Sequence, residues 1–240
     1  MKIKEIYKFL DELSPFEIQE SWDNSGLLIG DFNQEIKRVA LSIDVDEDLI
    51  DSLEEDTLLI THHPIIFGGL KQLEFNQYPA NLIQKMIRKN ISNIAMHTNF
   101  DLTHLNEFVA TEVLGYKIIS RDGFIIYLDV NEEFDTFAKK ISTTFKLPHA
   151  KCVKSTDFVK TVALTTGSGC SLLKSVNADC FLTGDVKYHD AMEAKSLKMS
   201  LIDIGHFESE HFFAQILLKY LKNLGLEAII SSSKNPFTYI

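Results

Sequence analysis

The sequence predicts an α/β fold, and three observations carry that prediction. Short apolar runs alternate with helix-period segments along nearly the whole chain. Turn residues bound most of the runs, and polar residues that break the core pattern gather where the apolar runs stop. A strand followed by a helix, repeated, implies parallel pairing with helices on the sheet faces.

The elements follow in order. The opening segment, MKIKEIYKFLDELSPF, sets Ile3, Ile6, Tyr7, Leu10 and Leu13 at helical spacing, and Ser14-Pro15 ends it. It lacks a long apolar stretch and a small-residue cleavage site, so no secretion signal is expected. Strands are expected at residues 38–44, 57–61, 92–97, 124–130, 160–166, 179–183, 200–205 and 226–231. Helices are expected at residues 80–90, 105–114, 133–144, 188–198 and 209–223. No internal repeat or low-complexity tract interrupts them. Turn residues at 120–123 suggest a break between two α/β lobes, 1–123 and 124–240, with terminal elements free to cross between them.

Composition narrows the function classes. The chain has 240 residues and a formal net charge of −10. Such a charge repels phosphate backbones and argues against general nucleic-acid binding, while leaving room for a local basic pocket for one phosphorylated small molecule. No apolar run is long enough to span a membrane. Cys152, Cys170 and Cys180 form no C-x-x-C pair, which argues against a disulfide framework and a cysteine-built zinc site. A reducing cytoplasm is the expected compartment.

The candidate chemistry lies at strand ends, where ligands bind in open parallel sheets. In LLITHHPIIFGG an apolar strand delivers His62 and His63, and Pro64 stops it. Neighbouring side chains on extended backbone point to opposite sides, so this pair reaches two metals, or grips one if the backbone turns. In ISNIAMHTNFD a second strand ends at His97, with Asp101 four residues on. His97 is a candidate ligand, proton shuttle or donor behind the ligands; His104 reads as a capping or surface residue. In SLIDIGHFESEHFF, His206 and Glu210 flank a strand-to-helix turn near Ser209. Glu210 also reads as an acid favoured by the dipole of a helix that starts there. The turn Gly167–Gly169 offers backbone N–H groups to a phosphate, with Lys187 as a cation, but without the lysine of a P-loop. Five or six histidine and carboxylate donors exceed what one catalytic zinc needs, which favours two divalent ions; Zn, Fe, Mn and Co all suit such donors.

Five ordered motifs, SWDNSGLLIG, THHPIIF, MHTNFD, TGDVKYHDAMEA and DIGHFESEHF, span nearly the whole chain. On them the sequence resembles the GTP cyclohydrolase I type 2 homologue family, the YbgI-like dinuclear metal proteins. The resemblance implies two related α/β lobes, with two metals in the cleft between them held by His62, His63, Asp101, His206 and Glu210. It also implies a toroidal homohexamer and the short form of the family, without the extra domain of longer relatives. The run LTHLNEF after HTNFD departs from the family's small, glycine-rich residues, so substrate contacts there are expected to differ. Trp22, Asp23 and Asn24 match the family; Asp23 and Asn24 are expected to pin a loop near the cleft.

The activity this implies is hydrolysis of GTP to 7,8-dihydroneopterin 3'-triphosphate and formate, with His97 as the candidate general acid/base. Two other classes stay open. One is a two-metal hydrolase of another phosphoester or amide; the other is a non-catalytic metal-binding or regulatory module.

Overall fold

The computed structural model describes residues 1–223, 228–231 and 233–238. In chain order the strands are β1 (Gly26–Ile29), β2 (Arg38–Ser42), β3 (Thr57–Thr61), β4 (Ser92–Ala95), β5 (Lys117–Asp122), β6 (Ile125–Glu133), β7 (Cys152–Val153), β8 (Phe158–Leu164), β9 (Cys180–Thr183), β10 (Ser200–Asp203) and β11 (Ala228–Ile230). The helices are α1 (Ile3–Leu13), α2 (Glu47–Ser52), α3 (Ala80–Arg88), α4 (Thr98–Phe100), α5 (Asn106–Phe108), α6 (Phe134–Thr144), α7 (Tyr188–Ser196), α8 (His206–Glu210) and α9 (Phe213–Asn223). The mixed α/β class expected from the sequence is the class observed. The chain forms two compact units, Met1–Thr103 with Phe213–Pro236, and His104–Phe212 with Phe237–Ile240.

The first unit carries a five-stranded sheet in the order β1-β4-β3-β2-β11. β3 pairs in parallel with β2 and β4, β11 pairs in parallel with β2, and β1 runs antiparallel to β4. Every residue of the central β3, TLLIT, is buried. That is why it reads as an unbroken apolar run rather than an alternating one. Ala40 and Leu59 pack with Leu82, Ile83 and Met86 of α3 in one apolar cluster. α1 buries the Ile3, Ile6 and Leu10 stripe, as its spacing predicts. The topology puts the carboxyl ends of β2, β3 and β4 on one edge. The amino end of β1 joins them there, because Gly26 sits opposite Ala95.

The second unit carries a six-stranded sheet in the order β5-β6-β8-β9-β10-β7. It is parallel through β8, β9 and β10, and antiparallel on both sides of that centre. The turn residues at 120–123 fall in the β5–β6 hairpin, where Gly123 supplies a φ of 53°. Ala163, Phe181 and Leu201 from the three parallel strands pack with Ala194 of α7. Their carboxyl ends share one edge, which carries Gly167, Asp185 and His206.

Several expectations shift. The helix expected at 105–114 begins earlier, at Thr98, and contains π-helical turns at Asp101–Leu105 and Val109–Val113. His104 therefore lies inside a helical run rather than capping it. The helix expected at 209–223 is two helices, α8 and α9, separated at residues 211–212. Of the strand expected at 226–231, residues 226 and 227 lie outside the described residues, and β11 occupies 228–230. Strands β1, β5 and β7 and helix α2 were not anticipated. No helix among the described residues is long and apolar enough to cross a membrane.

Candidate metal centre

In the first unit the site begins at the end of β3. His62 N–H donates to Ser42 O at 3.2 Å and His63 N–H to Ile43 O at 2.9 Å, which carries the β2 pairing past the strand. The backbone then bends, and the rings of His62 and His63 approach to 4.9 Å between centroids. His97, at the end of β4, lies 5.2 Å from the His62 ring and 5.5 Å from the His63 ring. One ring nitrogen from each of His62, His63 and His97 falls within 4.8 Å of the others. Asp101, four residues on, brings Oδ1 to 3.4 Å from His62 Nε2. It opens a π-helical turn, a distortion that recurs at functional sites.

Each ring is oriented by its other nitrogen. His62 Nδ1–H donates to Met96 O at 2.9 Å, His63 Nδ1–H to Asp44 Oδ1 at 2.7 Å, and His97 Nδ1–H to Asp23 Oδ1 at 2.7 Å. The acceptors are a carbonyl and two carboxylates, which fixes the proton on Nδ1. Asp23 does the pinning expected of it, and more. Its Oδ2 accepts from N–H and O–H of Thr98. Asn24 Nδ2–H donates to Ile66 O and ties the same loop to the segment after the HHP motif.

In the second unit β10 ends at Asp203, and Gly205, at φ 75°, caps α8. The helix starts at His206, three residues earlier than expected, so His206 and Glu210 sit one helical turn apart on one face. His206 Nε2 lies 3.0 Å from Glu210 Oε2, and His206 Nδ1–H donates to Asp185 Oδ2 at 2.7 Å. Burial acts to lower the His206 pKa, but the hydrogen bonds to Asp185 and then Glu210 outweigh it and raise it to about 11. Glu210 is the last residue of α8 and only 2% exposed. The dipole account of Glu210 therefore fails: a buried carboxylate at a helix carboxyl end is opposed by the dipole and needs a cation.

The Gly167–Gly169 turn does not match its expected role. Gly167 N–H donates to Ser209 Oγ at 3.0 Å and Gly169 N–H to Thr183 Oγ1 at 2.8 Å, so these groups are already engaged within the protein. What the turn does is clear Glu210. A Cβ at Gly167, whose φ is 62°, would stand 1.9 Å from Glu210 Oε1. Sequence reasoning missed Asp44 here and read Asp185 only as a turn residue that could line the site. Asp44 orients His63 and Asp185 orients His206, yet each is a single acid at a strand end, with no local signal of the histidine it meets.

The donor chemistry suits a divalent ion. Histidines with the far nitrogen fixed to a carbonyl or carboxylate, beside carboxylates and without thiolate, are the usual ligands of Zn, Fe, Mn and Co. His211 also donates from Nδ1, to Glu208 O, but joins none of the donor groups found among the described residues.

Comparison with known proteins agrees with the resemblance carried by the five motifs. A sequence model of the Duf34/NIF3 (NGG1p interacting factor 3) family matches residues 1–236. The chain is 52% identical to a Campylobacter jejuni protein named GTP cyclohydrolase 1 type 2 homolog, over 100% of both chains. It is 42% identical to a Helicobacter pylori protein named GTP cyclohydrolase 1 type 2, over 99% of each. Among solved structures it is similar to a Staphylococcus aureus protein of 27% identity, with a TM-score of 0.88 over 100% of this chain and 99% of that one.

Proposed function

We propose a function from one premise: the chain belongs to the Duf34/NIF3 (NGG1p interacting factor 3) family. In this reading it is a metal-dependent hydrolase that converts GTP and water to 7,8-dihydroneopterin 3'-triphosphate and formate. Its proposed ligands for two divalent ions are His62, His63 and Asp101 of the first unit and His206 and Glu210 of the second. The observation that supports it most is the shared orientation of His62, His63, His97 and His206. In each, Nδ1–H is committed to an oxygen, the orientation typical of a metal-ligating imidazole. The names of the Campylobacter and Helicobacter relatives supply the substrate.

Bound divalent ions supply Lewis acidity and lower the pKa of water. The chain's own residues supply the rest. Opening the guanine imidazole ring needs water at C8 and a proton delivered to the leaving ring nitrogen; a second water releases formate, and rearrangement of the ribose with closure of the pterin ring returns one, so one water is consumed net. In this reading His97, which Asp23 orients, moves that proton. Lys187 is the candidate cation for the triphosphate. The reading includes a homohexamer in the cytoplasm, in keeping with three free cysteines.

Turnover of GTP is the test. Protein loaded anaerobically with Zn, Mn or Fe is assayed for formate and, after oxidation, for pterin fluorescence, with His63→Ala alongside. Metal-dependent product that disappears in His63→Ala is the expected result. Two bound ions without product under any metal would overturn the cyclohydrolase reading and leave another hydrolase, or the partner-binding role that the family description suggests.

A further inference from the structure

The chain's single tryptophan lies beside the histidine cluster of the first unit and is 55% exposed. Phe67, 54% exposed, faces it, with ring centroids 5.8 Å apart and planes tilted by 42°. Both rings stand close to His97, Trp22 at 6.0 Å and Phe67 at 6.1 Å between centroids. Two large aromatic faces left open to water beside a polar cluster offer a flat ligand a stacking surface.

The two rings are held in place by polar bonds on either side. Asp23, next to Trp22, is fixed by His97 and Thr98. Asn24 donates to Ile66 O, the carbonyl that precedes Phe67. Both backbone segments are therefore set before any ligand arrives, which lowers the entropy cost of binding.

The spacing describes a notch. Intercalation between the rings would need roughly 7 Å, twice the carbon contact distance. At 5.8 Å and 42°, a flat ligand instead stacks on one face and meets the edge of the other. A cationic ligand is disfavoured, because the neighbouring donors are those proposed to hold divalent ions. A neutral heteroaromatic ring matches both the aromatic faces and the adjacent charge.

We propose that Trp22 and Phe67 form the base-recognition subsite of this protein, stacking the purine ring of a nucleotide beside His97. The proposal rests on the hydrolase reading only for placing the reacting ring near the histidines; the notch itself is defined by Trp22, Phe67 and their anchors. Trp22 and Phe67 are positioning residues: they hold the ring whose bond breaks.

Trp22 emission reports on this notch alone. Metal-loaded protein is titrated with guanosine, GTP and inorganic triphosphate, with ligand absorption corrected on free N-acetyltryptophanamide. Saturable emission changes with guanosine and GTP, and none with triphosphate, are expected. Phe67→Ala should weaken guanosine binding about ten-fold, the scale of one base–aromatic stack. Phe67→Tyr should restore it, with metal content unchanged in both. Equal guanosine affinity in Phe67→Ala, the same response to triphosphate, or emission that follows protein concentration instead of ligand would each overturn the proposal; the last would assign this face to contact between copies. Formate release is read on the same preparations. Turnover without a Trp22 response removes the subsite and keeps the hydrolase, whereas guanosine binding without turnover keeps the subsite and removes the reaction.

Discussion

Asp23 holds His97: its side chain, which has no exposed surface, accepts His97 Nδ1–H on Oδ1 at 2.7 Å and both donors of Thr98 on Oδ2. Burial acts to raise the Asp23 pKa. The hydrogen bond and charge of His97, then the donors of Thr98 and Asn24, outweigh it and hold the carboxyl well below the usual range. Asp23→Asn removes an anionic acceptor from buried donors, and a loss of about 1–3 kcal/mol of stability is expected. The sign of the pH effect follows. A depressed folded-state pKa contributes stability that is complete above the unfolded value, about 3.9, and is lost as pH falls through the folded one. The melting-temperature gap between wild type and Asp23→Asn should therefore be flat near neutrality and shrink below about pH 4. A gap that widens on acidification would contradict this account.

His206 behaves in the opposite sense. Its pKa in the metal-free protein is raised to about 11. The stabilisation is complete below the unfolded imidazole value, about 6.5, and is lost as pH rises through the folded one. Metal-free protein should lose melting temperature steadily between neutral and strongly alkaline pH, and His206→Gln should flatten that limb. Ligation requires a neutral imidazole, so metal binding at neutral pH should release at least one proton. Calorimetric titrations of metal in two buffers of different ionisation enthalpy measure it directly; identical heats would show that no proton leaves.

What the sequence discloses and what it conceals follow from burial and range. β3 is buried along its whole length, so its apolar run is legible, and so are the histidines at its end. β5, KIISRD, is exposed at most positions and shows no alternation, while β7 has two residues and α2 six. Elements of that kind are defined by their partners rather than by their own pattern. The donor residues were legible because histidine and carboxylate at strand ends stand out chemically. Their orientation was not, because Asp44 meets His63 and Asp185 meets His206 across separations of 19 and 21 residues. Glu210 misled in a specific way: its dipole reading assumed a helix starting at Ser209, whereas α8 starts at His206 and ends at Glu210.

The three thiols should react slowly and in a fixed order. Burial first, then the charge and hydrogen bond of Asp190, push Cys170 up to about 12. Cys180 is completely buried and pushed well up, while Cys152 is raised less but lies exposed. The thiolate is the reactive form, so native protein at mildly alkaline pH should alkylate at Cys152 first and at Cys180 only on unfolding. Peptide mapping after timed alkylation gives the order. Early labelling of Cys180 would mean that its surroundings open without global unfolding.

Gly167 and Gly123 separate two costs that usually travel together. Both have positive φ, 62° and 53°, so alanine at either strains the backbone by about 1 kcal/mol. A Cβ at Gly123 meets nothing within 4 Å, whereas one at Gly167 would stand 1.9 Å from Glu210 Oε1 and 2.9 Å from Glu210 Cδ. Glu210 is nearly fully buried and cannot retreat without leaving His206. Gly123→Ala should therefore lose a little stability and keep its metal affinity. Gly167→Ala should lose more stability and, in addition, about 10- to 100-fold in metal affinity, the range seen when the support of a ligand is disturbed. Metal titration and thermal melting of the two variants side by side resolve the effects. If Gly167→Ala bound metal as tightly as Gly123→Ala, Glu210 would not be a ligand, and the five-residue set would have to be redrawn without it.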